Sequence, residues 1–153
     1  MSSLENSTGV TQVNTKTLFV ASETKHAHAG LMNAAQALRA SLESRDRVSL
    51  DIAVNHFYVA LLKHFRKEEG PSGWFREIEQ REPRLKPIID TLRGQHAELL
   101  ASLEAVRSEN IWLPEEVVSE VRRCLRIFRR HERVEERLVC EVFYQDIGTV
   151  GGR

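Results

Sequence analysis

Two stretches of this chain repeat one pattern: HFRKE at 64–68 and HERVE at 131–135 each set a histidine four residues ahead of a glutamate. On a helix, residues four apart lie one above the other, so each stretch offers an imidazole nitrogen and a carboxylate oxygen to one point. Both pairs also fall on what periodicity marks as a buried face. Taken at alternating steps of three and four, one segment reads Leu50, Val54, Phe57, Leu61, His64, Glu68, and another reads Val117, Val121, Cys124, Phe128, His131, Glu135, Leu138, Val142. Moving an ionised carboxylate into an apolar interior without a partner costs on the order of several kcal/mol. No Lys or Arg falls on either stripe. Something cationic is therefore expected at the centre.

Two further stripes complete the set. One reads Leu85, Ile89, Leu92, His96, Leu99, Leu103, Val106, and the other His28, Leu31, Ala35, Leu38, Leu42. Each stripe thus turns one histidine inward. Four imidazoles alone could be satisfied by hydrogen bonds, but four imidazoles and two carboxylates converging in a bundle match the needs of two divalent metal ions.

The elements that must position these groups are four long helices, roughly 17–43, 48–69, 83–107 and 114–145, separated by ESRDR, GPSG and SENIWLP. Glycine and proline sit almost wholly between them, and WFREIEQREP after GPSG predicts a short extra turn. With no alternating strand pattern and no repeat, the expected class is all-α, an up-down-up-down four-helix bundle. In an antiparallel hairpin, residues at one height are equidistant from the turn. His28 and His64 centre on Asp46, and His96 and His131 centre between Leu113 and Pro114, each in a predicted turn. His64 and His96 centre on Gln80, in the longer linker. The histidines can then lie within about one turn, ~5.4 Å, of one level, with the glutamates able to bridge metals ~3.5 Å apart.

A length of 153 residues with 41% hydrophobic content fits a single domain with one core. Residues 1–14 and 149–153 read as flexible ends around a domain at 15–148. Lys plus Arg and Asp plus Glu balance at 22 each, so overall charge does not argue for nucleic acid or an anionic membrane as partner. No apolar run approaches the ~20 residues of a membrane span, and the polar start lacks the order of a signal peptide. Cys124 and Cys140 are too far apart along one helix to bridge, and reduced thiols fit a cytoplasmic setting.

Other residues stand beside the six. His26 lies on a different face from His28 and is the alternative first-helix ligand. His56 flanks its stripe and reads as a boundary residue or channel lining. Glu69, Glu132 and Glu136 read as a wet face or as hydrogen-bond partners of ligating imidazoles. Tyr58 and Tyr144 read as packing, Trp74 and Trp112 as caps on the bundle ends, and Cys124 as core filler.

The segments HAGLMNAAQAL, HFRKEE, LRGQHAELLASL and RRHERVEERL together resemble a hemerythrin-like, HHE cation-binding domain, over about residues 26–148. The resemblance implies a four-helix bundle around a non-haem di-iron centre: two iron ions (Fe2+/Fe3+) with an oxo or hydroxo bridge, manganese or zinc being other metals such ligands accept. Carried over by position, it implies His28, His64, His96 and His131 as terminal ligands and Glu68 and Glu135 as bridges. Oxygen-carrying hemerythrins place a second histidine one turn after the third-helix ligand, where this chain has Leu100. With that ligand missing, and a solvent-derived bridge counted, each iron would be five-coordinate and open to a small ligand. The expected function is therefore binding or reduction of O2, peroxide or nitric oxide, with an electron-donor protein as partner. The alternative is a zinc or iron sensor or interaction bundle without turnover, and the residues do not decide whether the chain is an enzyme, which ligand it takes or its oligomeric state.

Overall fold

A computed structural model of the chain describes residues 28–108 and 114–144. Helix α1 occupies residues 28–44 of the described part, and a tight turn at 45–46 leads into α2, Arg47–Glu69. Asp46 makes that turn possible. Its carboxylate caps α2, accepting from the Val48 N–H at 3.2 Å and the Ser49 hydroxyl at 2.6 Å. So short a connection forces α1 and α2 to run antiparallel.

After Gly70 and Gly73 the chain forms α3, Trp74–Arg81, then a 3-10 turn at Pro83–Leu85 and helix α4, Lys86–Ser108. The last long helix, α5, is Pro114–Val139 and continues as a π-helical turn through Cys140–Tyr144. Four long helices with no strand among the described residues make the all-α bundle expected from periodicity. None of the described helices is long and apolar enough to cross a membrane. The starts of α2 and α5 fall within a residue of those expected. The segment 17–27, His26, Trp112 and both chain ends lie outside the described residues.

The predicted stripes are the buried ones. Leu31, Leu38, Val54, Phe57, Leu61, Leu99, Leu103, Val121 and Phe128 form one apolar cluster, with Phe57 and Phe128 packed edge to face at 5.2 Å. A second cluster joins Ile89 and Leu92 of α4 to Leu138 of α5, to Phe143 of the π turn and to Trp74, Phe75 and Ile78 of α3. Each fully buried side chain of this kind contributes about 1.5–3 kcal/mol.

Two details depart from the sequence reading. The extra turn is a helix of 8 residues whose Phe75 and Ile78 are wholly buried, so α3 is a wall of the core. The stripe of the last helix also shifts at its end: Val142 is half-buried and Phe143 takes the core position. A π turn holds more residues than an α turn, which rotates the following side chains off the α-helical register. Both cysteines are free, Cys124 buried and Cys140 exposed. Burial pushes the Cys124 thiol up to about 11, in keeping with a packing role. Tyr58 lies under the Arg107 guanidinium at 4.1 Å, a packing contact as expected.

The glycines give opposite tests. Gly94 is exposed within α4 and a Cβ there meets nothing within 4 Å, whereas at Gly73 a Cβ would collide with the Glu68 and Lys67 backbone carbonyls. Gly94→Ala should raise unfolding free energy by about 0.5–1 kcal/mol through helix propensity. Gly73→Ala should lower it. Urea denaturation of the two variants checks this, and a Gly73→Ala protein as stable as the parent would contradict the packing described.

Candidate metal centre

The polar groups form one layer between the two apolar clusters. His64 and Glu68 come from α2, His96 from α4, His131 and Glu135 from α5, and His28 from α1. All six lie in two overlapping groups: His28, His64, Glu68 and Glu135 in one, and Glu68, His96, His131 and Glu135 in the other, with ligand atoms in each group within 4.8 Å of one another. Both groups share the two carboxylates. Glu68 Oε1 lies against His64 Nε2, and Glu68 Oε2 lies 3.7 Å from His96 Nε2. Glu135 Oε2 lies 3.2 Å from His28 Nε2, while Oε1 lies 2.6 Å from His131 Nε2 and 3.6 Å from His96 Nε2. Each carboxylate thus turns one oxygen toward one histidine pair and the other oxygen toward the second pair. The antiparallel hairpins produce this level arrangement, as the turn midpoints require.

A metal-ligating imidazole needs its free nitrogen aimed inward and its other nitrogen engaged elsewhere. His131 Nδ1 donates to Gln95 Oε1 at 2.8 Å, leaving Nε2 to face the centre. His28 Nδ1 lies 3.1 Å from Glu132 Oε2, which orients that ring likewise. Glu132 is thus an ion-pair neighbour of His28, and Gln95 is a hydrogen-bond partner of His131 that the sequence reading missed. Glu69 comes no closer than 3.7 Å to His96 Nδ1, too long for a hydrogen bond, and Glu136 is exposed. His96 is held by aromatic rings: it stacks on Phe65 at 3.6 Å with planes 10° apart and lies 17° from parallel to Phe75. His56 is exposed and belongs to neither group.

The donors fit divalent cations by their chemistry and by what they lack. Close as their neighbours are, buried His64 Nε2, both oxygens of Glu68 and Glu135 Oε1 make no well-aligned hydrogen bond, although unpaired buried polar atoms are few in folded proteins. Among the described residues no Lys or Arg pairs with Glu68 or Glu135. Burial, reinforced by the Glu135 charge, holds the Glu68 carboxyl well above the usual carboxylate range. Burial also pushes Glu135 up, but the nitrogens of His131, His28 and His96 outweigh it and hold that carboxyl well below the range. Burial lowers His64 to about 4 and lowers His96 as well. At His28 the lowering by burial is overcome by Glu135 and Glu132, so its pKa is raised. Burial raises Glu132 to about 7.

Comparison with known families gives one finding: the model of the hemerythrin HHE cation binding domain matches residues 20–143. No curated protein and no solved structure matches the chain.

Glu132 makes the metal-free chain sensitive to pH. Its folded pKa, about 7, exceeds the ordinary 4.5, so between these values the folded state binds more protons than the unfolded state and stability falls as pH rises. His64 works in the opposite sense, adding stability as pH rises from about 4 through its ordinary 6.5. Substituting Glu132→Gln removes the first contribution and also weakens the raising of His28, whose stabilisation at low pH then shrinks, so both changes make the difference grow with pH. After chelator treatment, the variant should gain stability over the parent between pH 5 and pH 8, by up to about 3 kcal/mol at the upper end. Urea unfolding across that range measures the difference, and one independent of pH would contradict the burial of Glu132.

Proposed function

The chain belongs to the hemerythrin HHE cation-binding family, and from that premise we propose that it holds two iron ions at His28, His64, Glu68, His96, His131 and Glu135 and uses them to bind or reduce a small oxidant. The observation that carries this reading is the division of each buried carboxylate between two histidine pairs. A lone cation would need one such group of donors, and the shared carboxylates suit two. His28 with His64 would serve one ion, His96 with His131 the other, and Glu68 and Glu135 both.

Iron in these positions would supply electrons to O2, peroxide or nitric oxide. The residues set the conditions for that chemistry. Gln95 accepts the Nδ1 proton of His131 and the Glu132 carboxylate lies 3.1 Å from His28 Nδ1, so each ring turns its Nε2 toward the centre. Phe65, Phe75 and Leu61 keep water from the deeper side, where His96 and His131 are at most 2% exposed. The His28 side chain is 17% exposed and leaves a way in. Leu100, packed against the apolar cluster one turn beyond His96, offers no donor at the position where oxygen-carrying relatives have a histidine. That favours a reactive centre with room for a ligand over a saturated one.

Anaerobic reconstitution with ferrous iron, followed by titration with each oxidant, tests the proposal. The parent chain should take up two equivalents of iron and deliver electrons to one of the three. Glu68→Ala and Glu135→Ala should each impair both ions, whereas His28→Ala should spare the one at His96 and His131. Loss of a single ion in a glutamate variant would oppose the shared-carboxylate reading. Uptake of zinc with no reaction of the iron form would favour the alternative of a sensor or interaction bundle.

A further inference from the structure

The face between α1 and α5 carries a feature that the metal centre does not use. Three cavities follow one another along it. One of about 730 Å³ at the α1–α2 turn shares Leu42, Arg122 and Arg126 with a second of about 280 Å³, which shares Arg39 and Arg129 with a third of about 590 Å³. The third reaches His28 and Glu132. Together they form a furrow that ends at the least buried of the six centre residues.

Arginines dominate its walls. Arg122, Arg126, Arg129 and Arg133 are all exposed and recur on α5 at steps of four, three and four, spanning about 16 Å of helix axis. Arg39 faces them from α1 and Arg45 from the turn. Among the described residues none of these six makes an ion pair, although Arg123 on the same helix binds Glu98 and Glu120, and Arg47 binds Asp51. Like charges one turn apart disfavour the helix that carries them. Arg45 adds to this, for its φ of 55° is the left-handed region where glycine is the unstrained residue. The chain balances 22 basic against 22 acidic residues overall, so this stripe is a local concentration of charge.

We propose that the furrow is a docking groove for an acidic amphipathic helix of a partner protein, its carboxylates spaced to meet the arginine stripe. A concave groove between two helices accepts a third helix, as bundles do. Leu42 and Leu125 on its floor give apolar side chains a seat. The carboxylates of Glu43, Glu115 and Glu136 interrupt the rim, which disfavours the continuous phosphate charge of a nucleic acid. A flat anionic membrane would not reach the floor, whereas the exposed Met32 and Tyr144 that line the third cavity add apolar contacts for a helix lying in it. The proposal rests on charge and shape and stands whichever metal the centre holds.

The probe is a labelled helical peptide of about 16 residues with glutamates at the same steps of four, three and four and leucines beside them. It is titrated against the full chain at about 20 mM salt, where exposed charges are weakly screened. Binding should be one to one and should weaken about tenfold in Arg122→Glu/Arg126→Glu and about threefold in Arg45→Gly, whose backbone is relieved by the change. Lys63→Glu/Arg76→Glu, on α2 and α3, should change it by less than about twofold. Circular dichroism of each variant verifies folding. The proposal is overturned by undetectable binding, by equal loss in the control pair, or by equal affinity for a peptide with its glutamates scrambled around the helix. Tighter binding of a DNA duplex or of phosphatidylserine vesicles, abolished by the α5 reversals, would also overturn it.

Discussion

Two carboxylates set the terms for the rest of this molecule. Glu68 and Glu135 are at most 2% exposed and face imidazoles and each other, with no ammonium or guanidinium among the described residues paired with them. The two respond unequally: imidazole nitrogens hold the Glu135 carboxyl well below the usual carboxylate range, and burial beside that charge holds Glu68 well above it. Yet each divides its oxygens between the same two histidine pairs. A pair of divalent cations would let both ionise, which is the physical sense of a family defined by cation binding.

The surrounding packing serves that layer. One apolar cluster closes it on the side of the α1–α2 turn and the other on the side of α3, so the polar groups lie between two dry regions. Helix α3 is short, but its Phe75 ring runs nearly parallel to His96 and its N-cap, Gly73, sits against the backbone of Glu68. The linker between α2 and α4 therefore supports a candidate ligand from each. The aromatic contacts fix ring planes and keep the local dielectric low, which strengthens whatever electrostatic interaction the centre makes.

Much of this was legible in the residues. Stripes of period 3.6 marked the buried faces, a histidine on each marked the layer, and turn midpoints at Asp46 and near Pro114 put the layer at one depth. What periodicity could not give was the rotation of one helix against another. Glu132 neighbours His131 in sequence, but its partner is His28 on α1, and Gln95 neighbours His96 yet serves His131. Phe75 reads as a linker residue until α3 folds back over the core. The π turn that moves Phe143 inward has no signature in its residue types. The arginine stripe on α5 and its lack of acidic partners among the described residues emerged only from the packed helices.

Anomalous diffraction from crystals of the manganese-loaded chain bears on the central claim most directly. The account predicts two peaks within about 4 Å of each other, one against His28 and His64, the other against His96 and His131, with Glu68 and Glu135 between them. A single peak, or peaks to which only one of the two carboxylates contributes, would contradict it.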